Sequence, residues 1–400
     1  MSALAPTTVS GRTERLGVTA AYVAQGLSYS TVVTSLPAFK TRYGIDDEKV
    51  SLIMLTVVIG AASGSVASDV IARKWGSRAA LVVGFSLQAA ALAGVAIHTP
   101  FAAFWAFFGL YGVGLGMVDA AAAMQGFIVQ RRLGLAIMGS FFAANTAAIM
   151  AGALVVSASA TTTLGASLGL AAAAVVATAI AIVGPRIFDP THEPPSHEVA
   201  KARLPRLGIL LFGFVIFAAF TADSAIANWS TVYLHDTMHA SSTLAPLGYA
   251  TYAAFTLVSR LASDFVVRRF GRAHLAVATG AIAVVGVGLA GAWQSPYAAL
   301  VGFALAGLGV GALVPLAFSA AGDLDHARSD QIIAKINLFN YGGSLVGAVI
   351  PGLLSKSVGL NSAFLIAAVM LLPMLLMGPR FRRSHSPESA RDAPMREPVG

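Results

Sequence analysis

SDVIARKWGSR (Ser68–Arg78) and SDFVVRRFGR (Ser263–Arg272) are one phrase written twice. Each stands where a long apolar run ends and places an aspartate there, Asp69 and Asp264, with an arginine four residues later, Arg73 and Arg268. A second basic residue, an aromatic ring and a glycine follow in both copies: Lys74, Trp75 and Gly76, then Arg269, Phe270 and Gly271. Asp264 lies 195 positions after Asp69. A repeat at that distance in an apolar chain predicts two homologous helical bundles.

Composition carries the same reading. Charged residues make up 11% of the chain, against about 25% in soluble domains. Mean hydropathy is +0.76. A bilayer-spanning helix needs about 20 apolar residues, and such runs occur at 17–38, 50–72, 79–98, 102–129, 134–157, 163–184, 207–233, 245–267, 274–293, 297–321, 332–354 and 361–378. The expected fold is an all-α membrane protein of twelve spans in two six-helix bundles, 1–185 and 207–378. Between them 186–206, proline-rich and charged, reads as a cytoplasmic loop. Residues 379–400 read as a disordered tail whose first arginines meet anionic lipid. The first run has no small-residue cleavage site and is expected to remain.

Basic residues set the orientation. Arg12, Arg15, Arg73, Lys74, Arg78, Arg131, Arg132, Arg186, Arg268, Arg269, Arg272, Arg328 and the basic tail fall on one side. Lys40, Arg42, Lys49 and Lys356 fall on the other. Both termini are therefore expected in the cytoplasm, the chain crossing the membrane many times. The net charge of +8 is a topology signal and no mark of nucleic-acid binding, because the basic residues are scattered over short loops.

Several chemistries drop out. The chain has no cysteine, which removes disulfides, thiolate catalysis and thiolate metal sites. The eight histidines show no ligand spacing beyond His235 and His239, four apart in a polar loop. No phosphate loop of the GxxxxGK[ST] form occurs, so no ATPase is encoded. The reading is of a non-enzyme without metal or cofactor, driven by a gradient, a proton gradient being the natural one.

Twelve spans, a central cytoplasmic loop and a basic Asp–Arg–Gly motif after the second and eighth helices resemble the major facilitator superfamily. GLGMVDAAAAMQG (Gly114–Gly126), NWSTVYLHD (Asn228–Asp236), LGYATYAAFTLVSRLASDFVVRRFGR (Leu247–Arg272) and GFALAGLGVGALVPLAFSAAG (Gly302–Gly322) are similar to segments of its bacterial fucose-permease-like branch. The resemblance covers essentially the whole chain and implies alternating access by paired bundles. It places Asp119 where that branch has its essential fourth-helix acid. It also implies that the motif residues Asp69, Arg73, Gly76 and Arg78, with Arg260, Asp264, Arg268 and Gly271, latch the bundles together on the cytoplasmic side. Departures exist. The superfamily motif has Gly four residues before the Asp and Arg directly after it; here stand Ser65 and Val70, and Arg260 and Phe265. The branch's usual Glu, His and Asn are replaced by Gln130, Phe142 and Ala123, and the fifth helix lacks the Gly-Pro pair of drug/proton antiporters.

Charges within the spans are few. A carboxylate at mid-bilayer costs about 2.5–3.5 kcal/mol on insertion scales and usually faces a cavity or a partner. Asp119 and Asp223 are the candidates for proton coupling or substrate binding, with close packing among glycines the alternative reading of Asp119. Arg260, one turn before Asp264, is expected to be its internal partner. Tyr22, Gln25 and Tyr29 share one face of the first span. With Gln125, Asn145, Tyr249, Tyr252, Asn337 and Asn340 they outline a polar cavity suited to a sugar-like small molecule. Asn228 and Trp229 are expected near its outer vestibule. Pro315 and Pro351 mark bending elements. The expected function is a secondary transporter, acting as a monomer in the lipid bilayer and moving a small organic solute. A proton-driven exporter of a drug or metabolite, and a non-transporting receptor or scaffold of the same fold, are the alternatives.

Overall fold

The repeated glycine ends one helix and begins the next. Gly76 has φ 84° and ψ 157°, and Gly271 has φ 82° and ψ 158°. This region is essentially closed to side chains, and at Gly271 no atom stands within 4 Å of where a Cβ would sit, so there backbone conformation alone demands glycine. Each N–H still reaches back four residues, to the carbonyls of Ala72 and Val267, while the chain reverses.

The computed structural model describes residues 8–133, 137–162, 165–190, 205–325 and 329–381. Its helices are α1 (Thr8–Thr34), α2 (Leu36–Tyr43), α3 (Asp47–Trp75), α4 (Ser77–Ala96), α5 (Phe101–Leu133), α6 (Met138–Ser159) and α7 (Ala166–Ile187). They continue with α8 (Arg206–Val232), α9 (Leu247–Phe270), α10 (Arg272–Ala292), α11 (Pro296–Gly322), α12 (Ser329–Val358) and α13 (Leu360–Leu371). A π-turn, Tyr233–Thr237, extends α8, and a 3-10 turn, Leu372–Leu376, extends α13. No strand occurs among the described residues.

Every expected span falls on a helix. Among the described residues nine helices are long and apolar enough to cross a membrane. α1 and α9 fall short of that measure because they carry polar side chains within their apolar length: Gln25, Ser28, Ser30 and Thr31 on one, Thr256, Ser259 and Arg260 on the other. α13 is short and reaches Leu376 only through its 3-10 turn.

The boundaries differ from the expectations in three places. α1 starts at Thr8, nine residues before the first apolar run, and breaks at Ser35, where Pro37 opens α2. α5 is 33 residues long, about 50 Å at 1.5 Å per residue, well beyond a hydrocarbon core of about 30 Å. The expected loop 186–206 begins inside packed structure: α7 runs to Ile187, and Phe188 and Asp189 are buried. The rest of that loop, and almost all of the tail 379–400, lie outside the described residues.

Packing repeats with the sequence. α5 approaches α3 so closely that a Cβ at Gly112 or Gly116 would strike the carbonyls of Val57 or Ala61. α11 approaches α9 in the same way, Gly307 against Tyr252 and Gly311 against Thr256. Each of these four residues lies 195 positions after its counterpart, the offset of the aspartates. Within a bilayer, where lipid is as apolar as leucine, such stripes of small residues let backbones meet and drive helix association. α1 packs on α6 as α8 packs on α12, and α4 on α7 as α10 on α13. The halves meet through α6 with α9, α3 with α12, and α1 with α8. α11 and α12 continue unbroken through Pro315 and Pro351.

Candidate functional site

The helices at that seam carry the polar side chains. On the first half, α1 supplies Gln25, α4 Gln88 and α5 Asp119. Gln25 Nε2 donates to Asp119 Oδ1 at 2.7 Å and to the Leu115 carbonyl at 3.2 Å, and Gln88 Nε2 donates to Gln25 Oε1 at 2.6 Å. The amides are buried, and so are Met117 and Val118, yet Asp119 is exposed. An exposed carboxylate midway along α5 is thus held by a buried partner from α1.

On the second half Asp223 of α8 accepts a hydrogen bond from the Tyr252 hydroxyl of α9 at 2.6 Å. Tyr252 stacks on Tyr249 with ring centroids 6.3 Å apart. Two links reach across. Tyr29 meets Tyr249 edge-on and its hydroxyl accepts from Asn228 Nδ2 at 3.4 Å. Arg260 Nη1 donates to Thr146 Oγ1 of α6 at 2.8 Å. Arg260, expected to pair with Asp264, turns toward α6 through this bond. The side chains of Asp264, Arg268 and Asn337 lie outside the described residues.

The remaining candidates divide. Tyr22 stacks on Phe141 and meets Phe142 edge-on, and its carbonyl accepts from Asn145 Nδ2 at 2.9 Å, so both tie α1 to α6. Asn340, half-buried on α12, accepts from Ser344 at 3.2 Å. Gln125 is not at the cavity. Its amide is consumed by Ser77 Oγ and by the N–H and carbonyl of Asp189, which clamps the chain after α7 against α5. Gln130 holds the start of α6, accepting from the N–H groups of Ile137 and Met138. Trp229 is fully buried, its Nε1 donating to the Ala348 carbonyl, and so stands neither in a vestibule nor at a lipid interface.

Among the described motif side chains Arg260 reaches across the halves, to Thr146, while those of the first copy stay in their own half. Arg73 pairs with Asp69 in its own helix, both exposed, and Arg78 donates to the Pro185 carbonyl in the same half. Beside it Arg132 pairs with Glu14 at 2.6 Å and Asp189 at 2.5 Å, around a cavity of about 380 Å3. Between described residues the ion pairs that do join the halves lie at the opposite end, away from the termini. Lys40 pairs with Asp47 and, from the other half, Asp236; Lys356 reaches Asp46 at 2.7 Å and Glu48 at 3.1 Å. Ser157 donates to the Thr243 carbonyl at 2.6 Å, and Gly352 lies against Ser51 and Trp229. The halves are thus joined at the end remote from the termini. Nothing in the sequence marks these contacts, because their partners come from four separate segments.

The chain matches the profile of the Major Facilitator Superfamily over residues 18–324 and 211–399. It is 27% identical over 364 residues to an uncharacterized MFS-type transporter of Yersinia pestis, covering 90% of this chain and 94% of that one. Among solved structures it resembles a D-xylose-proton symporter, with TM-score 0.73 and 14% identity over 94% of this chain and 98% of the other. It also resembles FucP in its outward conformation, with TM-score 0.62 and 14% identity over 92% and 98%.

Proposed function

The chain belongs to the Major Facilitator Superfamily, and on that premise we propose that it is a proton-coupled secondary transporter of a small polar organic solute. It is a membrane transporter rather than an enzyme, as its relatives are. The two halves, 1–185 and 207–378, rock about the seam that holds Asp119, Asp223, Tyr29, Asn228, Tyr249 and Tyr252, with 186–206 joining them. The fold accommodates sugar–proton symport in the D-xylose-proton symporter, which supports the same driving force here.

One observation carries the reading: Asp119 is an exposed carboxylate midway along an apolar helix, held by Gln25, with no cationic partner among the described residues. A carboxylate so placed inside a membrane is a natural proton carrier. Asp119→Asn keeps the size and the hydrogen bond and mimics the protonated form. In proteoliposomes, with a solute found by thermal-shift screening, accumulation against a gradient should fall more than tenfold while solute exchange persists. Wild-type accumulation with unchanged pH dependence would remove Asp119 from the coupling. The basic residues support cytoplasmic termini in a bacterial inner membrane. An impermeant thiol reagent applied to intact cells should then label S241C and spare K74C, both positions being exposed; the reverse pattern would invert the topology.

A further inference from the structure

Arg260 has more donors than partners. It is half-buried on α9 at the seam with α6, and among the described residues its guanidinium makes one hydrogen bond, to Thr146, and no ion pair. Lys40, Arg132, Arg272 and Lys356 each close an ion pair. A guanidinium carries five N–H donors in a planar fork that matches a carboxylate two at a time, and it stays charged. Placing one inside a membrane span is costly unless something answers it. Asp223 of α8 lies within electrostatic reach but closes no ion pair with it among the described residues, and its Oδ1 accepts from Tyr252. Tyr249 and Tyr252 form a wall beside it, continued by Tyr29 and Asn228 from the neighbouring helices.

We propose that Arg260 binds the carboxylate of the solute, so that the substrate is a small organic acid whose body lies along Tyr252, Tyr249 and Tyr29. The inference rests on the transporter reading and narrows its substrate. A single guanidinium suits a monovalent planar anion; a phosphate dianion calls for a second cation, and none is seen beside it among the described residues. The described charge facing Arg260 is Asp223 from α8, and Asp264 follows one turn along α9 with its side chain outside the described residues; Tyr249, Tyr252 and Thr146 supply hydroxyls. With Asp119 and Asp223 both ionised the interior is net negative and repels an acid. Proton uptake by one of them brings it to neutrality, so acid and proton enter together.

The test is thermal melting of purified full-length protein with matched pairs: acetate and acetamide, benzoate and benzamide, D-gluconate and D-glucitol. At least one acid should raise Tm by about 2 °C or more in a concentration-dependent way while its neutral partner does not. Arg260→Gln should lose that increment, and Arg260→Lys should keep only part of it, since a point charge remains without the fork. If R260Q melts too low to read, an undiminished increment in R260K overturns the proposal. Acids that stabilise no more than their neutral partners also overturn it, and that is the result expected if Arg260 serves Asp264 alone. Neutral partners stabilising wild type and R260Q alike would sink the acid assignment and leave the transporter standing, which the Asp119→Asn accumulation assay tests separately.

Discussion

At Lys40 one ammonium answers two carboxylates from different halves of the chain. Burial works against its charge, but the hydrogen bonds to Asp236 and Asp47 together outweigh it and hold Lys40 above its ordinary value of 10.5. A base raised in this way contributes stability that is complete below 10.5 and lost only as pH rises through its folded value. Asp46 is the mirror case: the Lys356 hydrogen bond lowers it from 3.8, so its contribution is present above 3.8 and lost as pH falls further. Neither Lys40 nor Asp46 therefore changes charge between about pH 5 and pH 9. Lys40→Ala should cost about 1–3 kcal/mol, read as a Tm difference from wild type that is constant over that range and shrinks above pH 10.5. A difference that vanishes between pH 6 and pH 8 would contradict this. The same scale shows what a sequence can say about a site. Asp119 and Gln25 are legible because a carboxylate and an amide stand out in apolar helices. Gln88 is hidden in an alanine-rich run, and only helix packing brings it to Gln25. Gln125 misleads because spacing along a helix does not tell which neighbour its face meets.

Whole elements were easier to read than their ends. The twelve apolar runs each fall on a helix because hydropathy measures the length that must cross lipid. It is blind to polar turns that continue a helix beyond the bilayer, hence the early start of α1 and the length of α5. The α3–α4 and α9–α10 junctions owe their shape to Gly76 and Gly271, and the charged residues before them are not needed for it. Gly359 adopts φ 76° and ψ 156° between α12 and α13 with no acidic–basic motif ahead of it. Gly76→Ala and Gly271→Ala should each cost about 1–3 kcal/mol, seen as a lower melting temperature in detergent. Gly139→Ala, which adds a Cβ into open space at the first turn of α6, should be nearly neutral. Equal melting of all three variants would show that the junction backbone is unstrained.

At the scale of the molecule, the account is one of two packed halves that exchange which end is shut. The 195-residue offset joins motif, junction and helix contact in a single duplication, so the two-half organisation could be read from sequence. Which end is joined could not, because Lys40, Asp236, Lys356 and Asp46 meet only after folding. The most direct measurement is a pair of spin-label distances across the two ends, clean in a chain without cysteine. Labels at K49C and S357C span the end remote from the termini, and labels at K74C and R269C span the other; all four positions are exposed. Removing the Lys40–Asp236 and Lys356–Asp46 pairs with D236N and K356A should lengthen the first distance and shorten the second, in the same population. A first distance that lengthens while the second stays fixed, or two distances that never move, would contradict alternating access.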